Sequence, residues 1–214
     1  MLETNPLEIE LTTKCTIGCP ACPRNNPKDL KENWDVGHLN TDIVKSFADS
    51  DVNRNYLFVG CYGDPIYHPD FIEIMRYYAL KRKQFVVHTN GSSKTQKWWD
   101  ELTSTVDWSN YRPYQQFTFS VDGLEDTNHM YRINAKWKTV LRGMQSMGAL
   151  PKDKRPFLEW KMLVFPYNEH QVKEARELAM DIGFDQFTPV KSEREWTSYV
   201  CDNPEIYRWP DDKT

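Results

Sequence analysis

The chain has 214 residues, 39% of them hydrophobic and 27% charged, with a formal net charge of −4. These proportions suit one soluble globular domain with a full hydrophobic core, and the lack of a basic excess argues against a general nucleic-acid binder. The opening MLETNPLEIEL has no positive n-region, and no run anywhere is long and apolar enough to span a bilayer, so the reading is a cytoplasmic protein without signal peptide or membrane association.

In chain order, Leu7 to Leu11 alternates and predicts a short strand, followed at once by a loop carrying three cysteines. Asn26 to Asn40, with Pro27 and Gly37, reads as loop, and Thr41 to Asp51 as a helix capped by Asn40 or Thr41. Tyr56 to Val59 is a buried-type strand ending at Gly60, and Pro69 to Arg82 has helical spacing with Pro69 in its first turn. Phe85 to His88 is a third strand closed by Asn90-Gly91, and Lys94 to Leu102 a third helix. Gln116 to Val121 is a fourth strand closed by Asp122-Gly123, and Trp137 to Met147 a helix stopping near Gly148. Leu158 to Val164 is a fifth strand, His170 to Ile182 a helix ended by Gly183, and Gln186 to Thr188 a short sixth strand before Pro189.

Strict alternation of strand and helix calls for parallel strands joined by right-handed crossovers, as an open sheet or a partial barrel. The fold class expected is α/β, a partial (β/α)6 TIM-like barrel over residues 1–190, with residues 191–214 as a short polar and aromatic extension. In such folds function sits on the loops after the strands' C-terminal ends. The suggestive motifs lie there: the cysteines after strand one, Gly60 to Pro65 after strand two, Thr89 to Gly91 after strand three, and Ser120 to Gly123 at strand four.

Five cysteines, an odd number with three inside eight residues, do not describe a disulfide framework. The run Cys15-Thr16-Ile17-Gly18-Cys19-Pro20-Ala21-Cys22 offers three close thiolates, soft ligands suited to iron–sulfur clusters and to zinc. Three local ligands leave one iron of a cubane without a protein ligand, and an open position is what metal chemistry needs. A structural zinc site would take His38, His68 or Cys61 as its fourth ligand, although the usual paired CxxC knuckles are absent. Three incidental buried cysteines are the remaining alternative.

Cys15, Cys19 and Cys22 match the CxxxCxxC signature of the radical S-adenosylmethionine superfamily, and LEIELTTKC resembles that family's lead-in. The resemblance implies a 4Fe–4S cluster on those cysteines and S-adenosylmethionine as second cofactor. The amino and carboxylate groups of its methionine part would chelate the unique iron, and reductive cleavage would yield a 5′-deoxyadenosyl radical. Tyr62-Gly63-Asp64-Pro65 resembles the family's GGEP motif, which implies a seat for the methionine amino group, with Asp64 one methylene shorter than the commoner Glu. Ser120-Val121-Asp122-Gly123 resembles its S-x-D-G strand end, with Arg132 downstream, which implies that Ser120 and Arg132 hold the methionine carboxylate. Asn90, in Thr89-Asn90-Gly91, resembles its strand-three ending near the cofactor. Ala21 departs from the aromatic residue often found before the third cysteine.

The resemblance also implies a reductant such as flavodoxin or ferredoxin and hydrogen abstraction from a substrate, with a lean towards a peptide or protein. A small molecule or nucleotide is the rival substrate, and a non-catalytic zinc-binding interaction domain the rival from another class. An iron–sulfur electron-transfer protein would want four protein ligands. Cys201 alone does not supply an auxiliary cluster, and Cys61, His68, His88 and His129 receive no catalytic role.

Overall fold

Six strands form one parallel sheet in sequence order: β1 (Leu7–Ile9), β2 (Tyr56–Phe58), β3 (Phe85–Thr89), β4 (Gln115–Ser120), β5 (Phe157–Val164) and β6 (Gln186–Lys191). The helices are α1 (Thr41–Asp49), α2 (Phe71–Leu80), α3 (Gln96–Thr105), α4 (Asn128–Tyr131), α5 (Trp137–Gly148) and α6 (Val172–Asp181). β1 and β6 are the two edges, so the chain forms the partial (β/α)6 barrel expected of it. The computed structural model describes residues 6–25, 36–50, 55–108 and 115–191. Most of the loop expected over Asn26 to Asn40 lies outside the described residues, as do Cys201 and the tail from Ser192.

The two faces of β5 explain the architecture. Leu158, Trp160, Met162 and Val164 are fully buried on the outer face, where Trp160 packs on Trp137 of α5. Phe157, Glu159, Lys161 and Leu163 alternate with them on the inner face and are half-buried. Period-two patterning therefore makes an oily outer wall and a partly polar barrel interior. Inside, the Glu159 carboxylate accepts from Gln116 Nε2 at 2.9 Å, Thr118 Oγ1 at 2.9 Å and Thr188 Oγ1 at 2.6 Å, a satisfied polar layer across β4, β5 and β6. The outer wall is aromatic: Phe58 and Phe85 meet Tyr78 edge-on, and Trp99 lies against Phe119.

Element ends differ from the sequence expectations where side chains override periodicity. At α1 the expectation holds at the start, where Asn40 is the cap and its Oδ1 accepts from the Asp42 and Ile43 amides at 2.9 and 3.1 Å, but the helix ends at Asp49 and not Asp51. Thr95 caps α3, which starts two residues later than Lys94 and runs on to Thr105. Pro69 falls outside α2, because a 3-10 turn at Pro65–Tyr67 precedes that helix. His170 lies in another 3-10 turn, Glu169–Gln171, ahead of α6. β6 continues through Pro189 to Lys191 and so crosses the expected boundary at residue 190. An edge strand tolerates a residue without an N–H, because one side of its ladder has no partner.

Candidate active site

The C-terminal ends of the strands open into one cavity of about 680 Å³. Its wall gathers Cys15, Cys19 and Cys22 from the loop after β1, Gly60 to Asp64 after β2, Asn90 after β3, Ser120 of β4 and Arg132 beyond α4. The sequence-predicted site residues Cys15, Cys19, Cys22, Tyr62, Gly63, Asp64, Asn90, Ser120 and Arg132 thus share one space. Pro65 and Asp122 are buried behind that wall.

The cysteine loop is held at both ends. The Cys22 amide donates to the Cys19 carbonyl at 3.1 Å, and the Gly18 amide to the Ile133 carbonyl at 2.9 Å. Arg24 Nη1 donates to the Cys15 carbonyl at 2.5 Å. Two sulfurs face N–H donors: Asn90 Nδ2 lies 3.6 Å from Cys15 Sγ, and Arg132 Nη1 3.8 Å from Cys19 Sγ. Burial pushes the Cys15 thiol up and the Cys19 thiol up to about 11, and metal binding as thiolate would displace those protons.

Among the described residues, no three of His, Cys, Asp and Glu converge as ligands of a single ion. Cys15, Cys19 and Cys22 line the same cavity, a soft donor set that suits an iron–sulfur cluster. His68, one candidate for a fourth zinc ligand, has both ring nitrogens engaged: Nε2 with the Leu39 carbonyl at 2.7 Å, and Nδ1 accepting from the Asp70 amide at 3.1 Å.

The loop after β2 owes its shape to a residue that the sequence reading passed over. The Glu10 carboxylate accepts from the amides of Cys61 at 3.0 Å, Tyr62 at 3.3 Å and Gly63 at 2.9 Å. Burial raises its pKa, and those three donors resist the rise. Glu10 does not line the cavity; it holds the loop from behind. Gly63 passes so close to the β1 end that a Cβ would overlap the Thr12 carbonyl oxygen. The one signal for Glu10 in the sequence was its inward place in the alternation of LEIEL.

Asp64 turns inward. Its carboxylate accepts from Thr89 Oγ1 at 2.9 and 3.0 Å, the Asn90 amide at 2.7 Å and the Ile66 amide at 3.2 Å. All four contacts come from uncharged groups, and burial lifts the carboxyl from 3.8 up to about 6. Asp64 thereby ties the β2 loop to the β3 end.

Asp122 meets a cation instead. Arg132 Nε donates to Asp122 Oδ2 at 2.6 Å, and the Leu163 amide to Oδ1 at 2.7 Å. Asn168 Nδ2 donates to the Asp122 carbonyl at 2.9 Å and fastens β5 to the same turn. Gly123 there has φ +134°, and a Cβ would overlap the Thr127 hydroxyl. With Nε held by Asp122, Arg132 turns its far end to the cavity beside Cys19. Ser120 stands opposite Lys161 in the β4–β5 register, and both line the cavity with His88.

A family model described as the Radical SAM superfamily matches residues 9–179. This chain belongs to the radical SAM superfamily. That family is one of enzymes using an iron–sulfur cluster and S-adenosylmethionine, and the donor set described above fits such a cluster. The chain is 26% identical over 178 residues to the AdoMet-dependent heme synthase of Methanosarcina barkeri, which covers 81% of this chain and 46% of the relative. It therefore spans less than half the length of that relative. Its fold matches Streptococcus suis SuiB bound to S-adenosylmethionine with a TM-score of 0.64 and 14% identity, over 92% of this chain and 44% of SuiB. SuiB is also known bound to its precursor peptide SuiA. The anSMEcpe structure with bound AdoMet matches with a TM-score of 0.60 and 14% identity, over 94% of this chain and 57% of that one. At these identities the structural likeness speaks for the fold. No helix among the described residues is long and apolar enough to cross a membrane.

Proposed function

We propose that this radical SAM chain cleaves S-adenosylmethionine reductively at a 4Fe–4S cluster and uses the 5′-deoxyadenosyl radical to abstract a hydrogen atom from a peptide or protein. The observation that carries this reading is convergence: residues of all four strand-end motifs, the three loop cysteines among them, meet in one cavity of about 680 Å³. Cys15, Cys19 and Cys22 would hold the cluster, which when bound supplies the electron that breaks the sulfonium bond.

The remaining roles belong to the protein's own groups. The backbone of Tyr62 and Gly63, held from behind by Glu10, receives the methionine ammonium. Asp64 and Pro65 set that loop against β3, where Asn90 faces Cys15. Ser120 and the outer nitrogens of Arg132 take the methionine carboxylate, and Asp122 keeps the guanidinium aimed. Residues 1–190 form the catalytic domain and 191–214 an extension, and an exposed cluster of this kind belongs in a reducing cytoplasm supplied by flavodoxin or ferredoxin. The peptide reading is supported by SuiB and its precursor peptide; the name of the heme synthase relative favours a small molecule instead.

The test is anaerobic. The protein is reconstituted with iron and sulfide, then given S-adenosylmethionine and dithionite, and 5′-deoxyadenosine is sought by mass spectrometry. It is expected from the wild type and absent from Cys15→Ala, Cys19→Ala and Cys22→Ala, each of which loses the cluster. A full cluster in any of these variants, or zinc with no iron in the wild type, overturns the reading.

A further inference from the structure

Near Cys15, among residues that do not line the cavity, two ammonium groups lie close to one aromatic ring. Lys14 Nζ lies 5.9 Å from the Tyr67 ring centroid, and Lys94 Nζ lies 5.6 Å from the same centroid. Lys94 also sits 4.8 Å from the Trp98 ring centroid. The Tyr67 hydroxyl is hydrogen-bonded to the Thr16 hydroxyl, so the ring is anchored to the residue next to Cys15. The phenol is close enough to Cys15 to feel the charge of its sulfur. Lys14 and Thr16 are exposed; Tyr67, Lys94 and Trp98 are half-buried. No ion pair holds either lysine among the described residues, and the chain as a whole is negative at −4.

A pair of cations held on aromatic faces has little freedom and presents a fixed positive spot. Solvated surface lysines would not need this arrangement, and its place beside a cluster cysteine gives it a use. Steering an acidic partner needs only complementary charge at the rim, and an electron needs only a short path through packed groups.

We propose that Lys14, Tyr67 and Lys94 form the docking surface for an acidic one-electron carrier, which delivers its electron past Thr16 to the cluster on Cys15. The inference rests on the cluster reading above. The step is a single electron transfer: the carrier is oxidised by one electron, the cluster is reduced by one, and no bond forms or breaks at the patch. Tyr67 contributes a packed aromatic edge and the lysines contribute attraction. None of the three residues lines the cavity, so docking on them leaves its lining to the substrate.

The experiment compares the reconstituted wild type with the double variant Lys14→Gln/Lys94→Gln, using flavodoxin hydroquinone as the carrier and dithionite as a control reductant. Bleaching of the cluster absorbance is followed by stopped flow, and the Kd for flavodoxin is measured separately by calorimetry at low and high salt. The expected result is a roughly tenfold slower bimolecular reduction and a correspondingly weaker Kd at low salt. The gap should close at high salt, and dithionite should reduce both proteins to the same extent. Lys14→Gln alone, at an exposed position, should show part of the effect with unchanged thermal unfolding. Flavodoxin rates and Kd equal to wild type in the double variant overturn the docking surface while the cluster reading stands. A wild type that dithionite cannot bleach sinks the cluster reading itself.

Discussion

The turn after β2 and the turn after β4 each bury an aspartate beside a glycine, and the two carboxylates do opposite electrostatic work. Asp122 is met by the Arg132 guanidinium at 2.6 Å, so its charge has a partner. Asp64 is hydrogen-bonded by a hydroxyl and two backbone amides, with the Lys94 ammonium adding a smaller attraction and no direct ion pair, so the cost of burying its charge is only partly offset and its proton is held up to about 6. Equal burial of the same residue type thus yields a compensated ion at one end of the cavity and a dipole-held carboxyl at the other. The β4 end aims a side chain at the ligand, whereas the β2 end shapes a backbone.

The comparison is most exposed at Arg132. Arg132→Met strands the Asp122 charge in the interior and is expected to destabilise the cluster-free protein by about 3–5 kcal/mol in denaturant unfolding. The double variant Arg132→Met/Asp122→Asn should recover part of that loss. A single variant that unfolds like the wild type would break the contrast.

Next in size is the pH response of Asp64. Its folded pKa, about 6, lies above its ordinary value of 3.8, so the folded state binds this proton more tightly than the unfolded state does. The carboxyl therefore contributes stability below pH 3.8 that is lost as pH rises to about 6. The loss amounts to roughly 3 kcal/mol at 1.36 kcal/mol per pKa unit. Thermal unfolding of the cluster-free wild type between pH 4 and pH 7 should show this fall relative to Asp64→Asn, which has no proton to lose. Parallel pH profiles for the two proteins would mean that Asp64 is compensated after all.

The smallest effect sharpens the backbone side of the contrast. Glu10→Gln replaces one acceptor oxygen with a donor facing backbone N–H groups and should cost roughly 1–2 kcal/mol. With iron content unchanged, that predicts about tenfold weaker S-adenosylmethionine binding in anaerobic calorimetry. Loss of iron together with the ligand would assign Glu10 to folding in general, not to the loop.

Over the described residues the strand and helix alternation was legible except for the short α4, because each outer strand face and helix stripe carries its own periodicity. Errors gathered at element ends: Pro69 and His170 sit in turns, and Lys94 lies just before the Thr95 cap, whose hydrogen bond no hydrophobic period records. Among the cavity-lining residues, the cysteines and the Gly63, Ser120 and Arg132 positions could be picked out because their motifs are local. Glu10 could not, since its three partners lie 51, 52 and 53 residues away. Nor did the Asp64 motif reveal that its side chain is spent on the β3 end, bonded to Thr89 and Asn90.

By itself, then, the sequence determined the number and order of the β/α units, the thiol set and the loops on which chemistry would sit. Those are consequences of local pattern and residue type. Only the tertiary structure decided which carboxylate finds a cation, which finds dipoles, and which residue braces the β2 loop. It alone set Lys14 and Lys94 about one ring. Those outcomes depend on which strand ends become neighbours, and neighbours in a parallel sheet are separated by whole crossovers of chain.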